Sequence, residues 1–502
     1  MINNPVGADL RACSAHMNEN TGSPLQKDLP EGWFWKTMGE ISDVIGGGTP
    51  QTNVLEYYND GNIPWITPAD LSGYNNKYIS HGSRFITEAG LKNSSARLLP
   101  AGTVLFTTRA PIGYVAIASN PISTNQGFKS FVLKEGILPD YVYWYLKGNK
   151  CLAESYASGT TFLELAGAKA KQIPIPIAPP NEQKLIVAEI EKQFSRLDEA
   201  VASLKRVKAN LKRYKAAVLK AAVEGKLTEE WRKRHIDVEP ASDLLKHILA
   251  ERKKKWEAEH PGKKYKEPTP PDASKLPELP EGWVWATPEM LAQHEENSIC
   301  AGPFGTIFKA KDFREEGIPI IFLRHVAPGK YLTYKPGFMD KNKWKELFQP
   351  YSVYGGELLI TKLGEPPGIC AIYPENIGPA MVTPDVIKMT VNRNVARSKY
   401  LMYYLNSQIA MRASSELAFG TTRLRLTLPT FRHLPIPVPP LAKQHVIVAE
   451  IENRLSVTEE IDIALEINLK RGERLRQSIL KKAFSGRLIE HDKLPYKKGI
   501  HC

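Results

Sequence analysis

The side chains of this chain best suited to chemistry are hydrogen-bonding groups at strand ends and turns. Thr107, Thr108 and Arg109 stand where the run TVLFTT breaks at Ala110-Pro111. Asn125, Gln126 and Lys129 follow the next turn, and Ser158, Thr160 and Thr161 flank Gly159. The second half of the chain has Thr361 and Lys362, then Thr421, Thr422, Arg423 and Arg425, with Arg324 and His325 after the run IPIIFL. These residue types on protruding elements can read the edges of nucleic-acid bases, and an arginine bidentate to guanine contributes about 1–3 kcal/mol of discrimination. If Arg423 and Arg425 lie on a strand, both point to one face. Each of these residues is also of a type that caps a turn or stays solvated. The GTT triplet occurs in both halves, which points to backbone contact or fold maintenance. Arg109, Phe162, Glu164, Arg423 and Arg425 differ between the halves and are the better discriminators.

Catalytic chemistry finds no foothold. An N/D-P-P-Y/F motif, of the kind that holds a flipped adenine, is missing. Ala178-Pro179-Pro180-Asn181 and Glu365-Pro366-Pro367-Gly368 have the prolines without the flanks. There is no GxxxxGK[ST] phosphate loop, and Gly46-Gly47-Gly48-Thr49-Pro50 reads as a turn. Pro384-Asp385 could begin a nuclease carboxylate set, but no Glu-x-Lys follows. The histidines lack metal-site spacing, so no catalytic or metal-ligating residue is assigned.

The elements that carry these residues come in duplicate. LPEGWFW at Leu29–Trp35 returns as LPEGWVW at Leu279–Trp285, and PIPIAPPNEQ at Pro174–Gln183 returns as PIPVPPLAKQ at Pro435–Gln444. ASGTTFLEL at Ala157–Leu165 faces AFGTTRLRL at Ala418–Leu426, and YVYWYL at Tyr141–Leu146 faces YLMYYL at Tyr400–Leu405. IVAEIE at Ile186–Glu191 recurs at Ile447–Glu452, and VLKAAVEGKL at Val218–Leu227 faces ILKKAFSGRL at Ile479–Leu488. Each half opens on a Trp pair, runs through short β-type segments such as Ile63–Thr67, Thr103–Thr108 and Gly113–Ala118, and ends in a Pro-rich strap that cannot be helical. A long polar helix follows each strap.

In the first long helix, apolar residues at Ile190, Phe194, Leu197, Val201, Leu204, Val207, Leu211, Tyr214 and Val218 step by three and four, a coiled-coil seam. In the second the seam runs Ile447, Ile451, Leu455, Thr458, Ile461, Leu465, Asn468, Gly472, Leu475 and Ile479. A narrow seam must be buried against another helix, and the nearest partner is its own copy. The pairing residues expected are Ile190, Leu197, Leu204, Leu211 and Val218 with Ile451, Leu455, Leu465 and Ile479. Asn181 is the expected N-cap and Gly225 the expected stop. An antiparallel pair would place one globular part at each end, and about 40 residues at 1.5 Å each would make it a spacer of roughly 60 Å. Lys205, Arg206, Lys212, Arg213 and Lys220 lie off the seam, as a solvated face or as phosphate contacts. Between the halves, Ala241–Glu259 reads as a charged amphipathic helix before a Pro/Lys linker.

With 502 residues, 42% hydrophobic and 24% charged, the chain reads as a soluble protein of about three units. The net charge of +13 favours an acidic polymer such as DNA as partner. Most of the excess lies in the helices and linker. The first twenty residues lack the apolar stretch of a signal peptide, and no run suits a membrane span. Five scattered cysteines exclude a disulfide framework and fit the cytoplasm.

The duplicated LPEGW, the PIPxPP straps, the Q-x3-VAEIE helix starts and AVLKAAVEGKLTEEWR at Ala217–Arg232 together resemble the specificity subunits of type I restriction-modification systems, from about Leu29 to Leu488. The resemblance implies an α+β fold. Two mixed α/β target-recognition domains form a pseudo-two-fold tandem repeat, separated by two long antiparallel coiled-coil helices. The expected divisions are an extension at 1–28, recognition domains at 29–180 and 279–440, and helices at 181–226 and 441–488. A charged helix and linker cover 227–278 and a tail 489–502. The resemblance further implies a non-catalytic subunit that reads an asymmetric, split sequence in double-stranded DNA. It would recruit two modification (methyltransferase) subunits and the restriction (translocase/endonuclease) subunits. S-adenosylmethionine, ATP and Mg would belong to those partners, and no cofactor to this chain. Two rival readings remain, a coiled-coil scaffold that reads no DNA and an enzyme with unfamiliar motifs.

Overall fold

The computed structural model describes residues 29–109, 111–159, 163–303, 309, 312–420 and 424–489. The chain divides into two units, Met1–Lys205 with Glu466–Cys502, and Arg206–Leu465. Each therefore holds one globular domain and parts of both long helices.

In the first unit, strands β1 (Phe34–Thr37), β2 (Ser42–Gly46), β3 (Ile63–Ile66), β4 (Tyr78–Ile79), β5 (Arg84–Ile86), β6 (Val104–Thr108), β7 (Ile112–Ala118), β8 (Ser123–Thr124) and β9 (Phe128–Leu133) precede helix α1 (Pro139–Gly148), strand β10 (Pro174–Ile177) and helix α2 (Pro180–Val223). The main sheet has the order β2-β9-β6-β7-β4, and a smaller one β5-β3-β8. Among the described residues of this unit, the β4–β7 and β3–β8 pairs are the parallel ones. The run Val104–Thr108 is buried on both faces, so Val104–Phe106 are apolar without alternation and the two threonines that follow are buried as well.

The second unit repeats this plan with helix α3 (Ala241–Glu259), strands β11 (Val284–Ala286), β12 (Ile299–Ala301), β13 (Ile318–Ile321), β14 (Gly337–Met339), β15 (Leu358–Thr361), β16 (Cys370–Ile372), β17 (Ala380–Val382) and β18 (Val386–Met389), helix α4 (Ser398–Leu405), strand β19 (Ile436–Val438) and helix α5 (Leu441–Ala483). Its sheet β12-β18-β15-β16 matches four strands of the first unit in the same order. The parallel pair β13–β17 matches β3–β8.

The straps explain two motifs together. Among the described residues β10 pairs with β1 alone, and β19 with β11 alone, so the prolines sit in two-stranded ribbons where a missing N–H is tolerated. Their buried carbonyls still need donors. Tyr141 Oη donates to the Pro176 carbonyl at 2.8 Å and Tyr145 Oη to that of Pro174 at 2.5 Å. Tyr400 and Tyr404 do the same for Pro437 and Pro435, both at 2.6 Å. The i, i+4 tyrosines of α1 and α4 thus lie on one helical face because the strap demands them.

The long helices pair antiparallel. In the first unit the Arg476 guanidinium lies 5.1 Å from the Phe194 ring centroid and pairs with Asp198. Farther along α2, Val201 meets buried Gly472, where an added Cβ would stand 3.1 Å from Val201 Cγ2. In the second unit Lys215 pairs with Asp462.

Several expectations need correction. Val207 (46% exposed), Tyr214 (45%), Ile461 (39%) and Leu475 (43%) do not lie in the seam. Ile190, Leu197, Leu204, Leu211 and Val218 are buried or half-buried, as are Ile451, Thr458, Leu465, Gly472 and Ile479. Residues seven apart hold this narrow stripe, and the intervening positions rotate to its edge. Ile190 enters the core of the first domain, and Ile451, with half-buried Leu455 against it, that of the second. Helix α2 begins at Pro180, so Asn181 lies inside its first turn and is no cap. A proline's fixed φ and missing N–H suit that place. The helix expected over Ala241–Glu259 is present, and its Leu245 and Ile248 join the core of the second unit. Among the described residues, no helix is long and apolar enough to cross a membrane.

Candidate nucleic-acid interface

At the C-terminal end of β6, Thr107 is fully buried. Its Oγ1 donates to the Pro111 carbonyl and accepts from Tyr114 N, both at 2.8 Å. Thr361, at the matching end of β15, is also buried and accepts from Ile369 N at 3.0 Å. Both hydroxyls close the turn that follows the strand. Thr108 is buried and donates to Gly127 O at 3.2 Å. Lys362 is almost fully buried, and its amine is pushed down by burial and by the Arg425 charge.

One residue on, the chain surfaces. Arg109 Nη1 lies 3.8 Å from Glu164 Oε1, with both side chains partly exposed. In the second unit Arg425 Nη2 lies 3.5 Å from Asp385 Oδ1, again with both side chains partly exposed. Gln126 is exposed and Lys129 half-buried. The exposed Arg324 donates to Lys335 O at 2.9 Å and stacks 4.1 Å from the Phe322 ring centroid. Its neighbour His325 is buried, which holds its imidazole below the usual range. Thr160, Thr161, Phe162, Thr421, Thr422 and Arg423 lie outside the described residues.

The frame around the surface groups is the same in both units. Leu165 N donates to Thr108 O at 2.9 Å, and Leu426 N to Lys362 O at 2.8 Å. Ser158 and Glu164 exchange backbone bonds at 3.0 and 2.9 Å, as do Phe419 and Arg425 at 3.1 and 2.8 Å. Thr108 N donates to Gly127 O at 2.8 Å and Lys362 N to Asp385 O at 2.8 Å. Gly159 (φ 127°) and Gly420 (φ 116°) take backbone angles that L side chains rarely adopt, which accounts for the glycine of the repeated GTT. The structure therefore groups Arg109 with Glu164, and Arg425 with Asp385 and the 66% exposed Phe419. It places Arg324 on another loop. Sequence reasoning left Asp385 and Phe419 out of the interface; the signal available was that each changes identity at a position matched between the copies.

Each domain is tied to the long helix that follows it. Gln183 accepts from Leu138 N at 2.8 Å and donates to Gly136 O and Ala178 O at 3.2 and 2.9 Å. Gln444 accepts from Arg397 N at 2.8 Å and donates to Val395 O and Pro439 O at 3.0 and 3.1 Å. Among the described residues, no cluster of three or more His, Cys, Asp or Glu could hold a metal ion.

Comparison with known proteins agrees with this duplicated plan. The sequence profile of the type I restriction modification DNA specificity domain matches residues 30–213 and 307–469. The chain is 43% identical over 181 residues to the type I restriction enzyme MjaIX specificity subunit of Methanocaldococcus jannaschii, an alignment covering 36% of this chain and 40% of that protein. It is 23% identical over 474 residues to the EcoKI specificity subunit of Escherichia coli K12, covering 92% of this chain and 90% of the relative. A chain solved in work on complex assembly and conformational transition of the type I R-M system superposes with TM-score 0.61 at 17% identity, covering 92% of this chain and 99% of that one. With the profile matched in both halves, the chain belongs to the type I restriction-modification DNA specificity family.

Proposed function

We propose that this chain is the DNA-recognition subunit of a type I restriction-modification complex. It reads an asymmetric, split target, one half-site per recognition domain, and recruits modification and restriction subunits that carry S-adenosylmethionine, ATP and Mg chemistry. Its place of action is the cytoplasm, where the DNA is. The observation that carries this reading is the pair of domains built on one backbone plan but bearing unlike exposed side chains, Arg109 and Glu164 in one, Phe419 and Arg425 in the other. Two copies of one reader with different surface chemistry suit two different half-sites. Identical readers would suit a palindrome.

The test is modification mapping. Host DNA is mapped for methylated adenine with and without this gene, in the presence of modification subunits. One interrupted, non-palindromic motif that depends on the gene supports the proposal. Motifs that are unchanged on deletion of the gene contradict it. S-adenosylmethionine binding by the isolated chain would favour an enzyme instead.

A further inference from the structure

The duplicated fold allows a comparison inside one molecule. Where a residue serves the frame, the copies keep it: Trp33 and Trp283, Tyr141 and Tyr400, Gln183 and Gln444, Thr107 and Thr361, Gly159 and Gly420. At this strand end the backbone hydrogen bonds of the described residues correspond, yet four matched positions change residue type. Arg109 is matched by Leu363, Ser158 by Phe419, Glu164 by Arg425 and Gly127 by Asp385. The frame does not depend on those identities.

Their chemistry suits base edges. The Arg109–Glu164 pair at 3.8 Å and the Arg425–Asp385 pair at 3.5 Å are too long and too exposed to hold much energy in water. Each carboxylate keeps its arginine close to the surface without saturating the guanidinium. An arginine can donate to guanine O6 and N7, a carboxylate can accept from cytosine N4, and a phenylalanine can pack on a thymine methyl. Phe419, 66% exposed beside Arg425, is apolar surface that a bound duplex would cover.

We infer that five described side chains at this strand end read bases, Arg109 and Glu164 taking a G·C pair in one half-site, and Arg425, Asp385 and Phe419 taking a G·C pair next to an A·T pair in the other. The inference rests on the DNA-recognition reading above and assigns that reading to particular side chains.

The experiment is selection from randomised duplex DNA by the full chain assembled with modification subunits, comparing wild type, R425A, R425K and R109A. R425A lowers the preference for one G·C pair in one half-site by about tenfold to a hundredfold. The other half-site keeps its bases and so reports that the variant is folded. R109A has the mirror-image effect. R425K keeps the charge but not the planar fork, so it also loses the preference. If R425K retains full preference, the planar fork is not what reads the base and the inference is overturned; if R425A weakens binding to all sequences alike, Arg425 holds a phosphate and the inference is likewise overturned. It is equally overturned if R425A and R109A select the wild-type sequence. Should wild type itself enrich no sequence, the DNA-recognition reading fails, which is a separate result.

Discussion

Lys443 lies against Trp283, its Nζ 5.3 Å from the ring centroid, where the other copy sets Glu182 to accept the Trp33 indole N–H at 2.8 Å. The duplicated joint has thus exchanged a carboxylate for an amine. In the second joint Lys443 is 1% exposed, and neither its Nζ nor Trp283 Nε1 has a hydrogen-bond partner among the described residues.

The stability of the second unit therefore depends on pH. Burial, and secondarily Arg232, push the Lys443 amine from 10.5 down to about 7. The unfolded chain then holds the proton more tightly than the folded one. The stability gained from this group is full above 10.5, falls as pH drops, and is gone below about 7. K443M removes the charge at similar volume and raises stability at pH 7 by about 1–4 kcal/mol. Urea unfolding at pH 7 and pH 10 checks this: the gain shrinks at pH 10, and a variant less stable than wild type at both would contradict the account.

The glutamines at the helix starts hold by hydrogen bonds alone. Q183A leaves Leu138 N, Gly136 O and Ala178 O without their partner and lowers stability by about 2–4 kcal/mol. Q444A acts likewise on Arg397 N, Val395 O and Pro439 O. Denaturant melts that shift by less than about 0.5 kcal/mol, the range of ordinary surface changes, would refute these roles.

At the far ends of the helices, Gly225 (φ 73°) and Gly486 (φ 69°) are left-handed. A Cβ on Gly225 would meet the Pro280 ring at 2.8 Å, and one on Gly486 the Pro30 ring at 2.0 Å. Alanine at either position combines backbone strain with a clash and costs about 1–3 kcal/mol. G486A is expected to be the worse, since its contact is the shorter; equal melts for the two variants would speak against this ranking.

Lengthening α2 near Lys208 changes the permitted gap between half-sites and leaves both half-sequences intact. Methylation mapping that returns the original gap would remove the helices from that role.

The repeat and the straps were legible because matched motifs recur in order and a proline-rich run cannot be helical; the tyrosine pairs were legible only as repeated residues, since the strap carbonyls that accept from them meet them only in the fold. The seam was legible as a period but not as a width. Val207 and Tyr214 satisfy the three-four spacing, yet the pairing buries a stripe too narrow to include them. At the interface, Thr107 looks like a free hydroxyl in the sequence because its partners, Pro111 O and Tyr114 N, meet it only once the turn closes. Asp385 lies far from Arg425 in sequence, and only the pairing of β15 with β18 brings them together.

The central claim is that residues 29–180 and 279–440 each read one half of a split DNA target. Replacing residues 29–180 with another recognition domain of the family, and mapping adenine methylation by the complex assembled with its modification subunits, tests it most directly. The account predicts a motif in which one half-site is new and the other is retained at the same gap. A motif changed in both halves, or in neither, would contradict it.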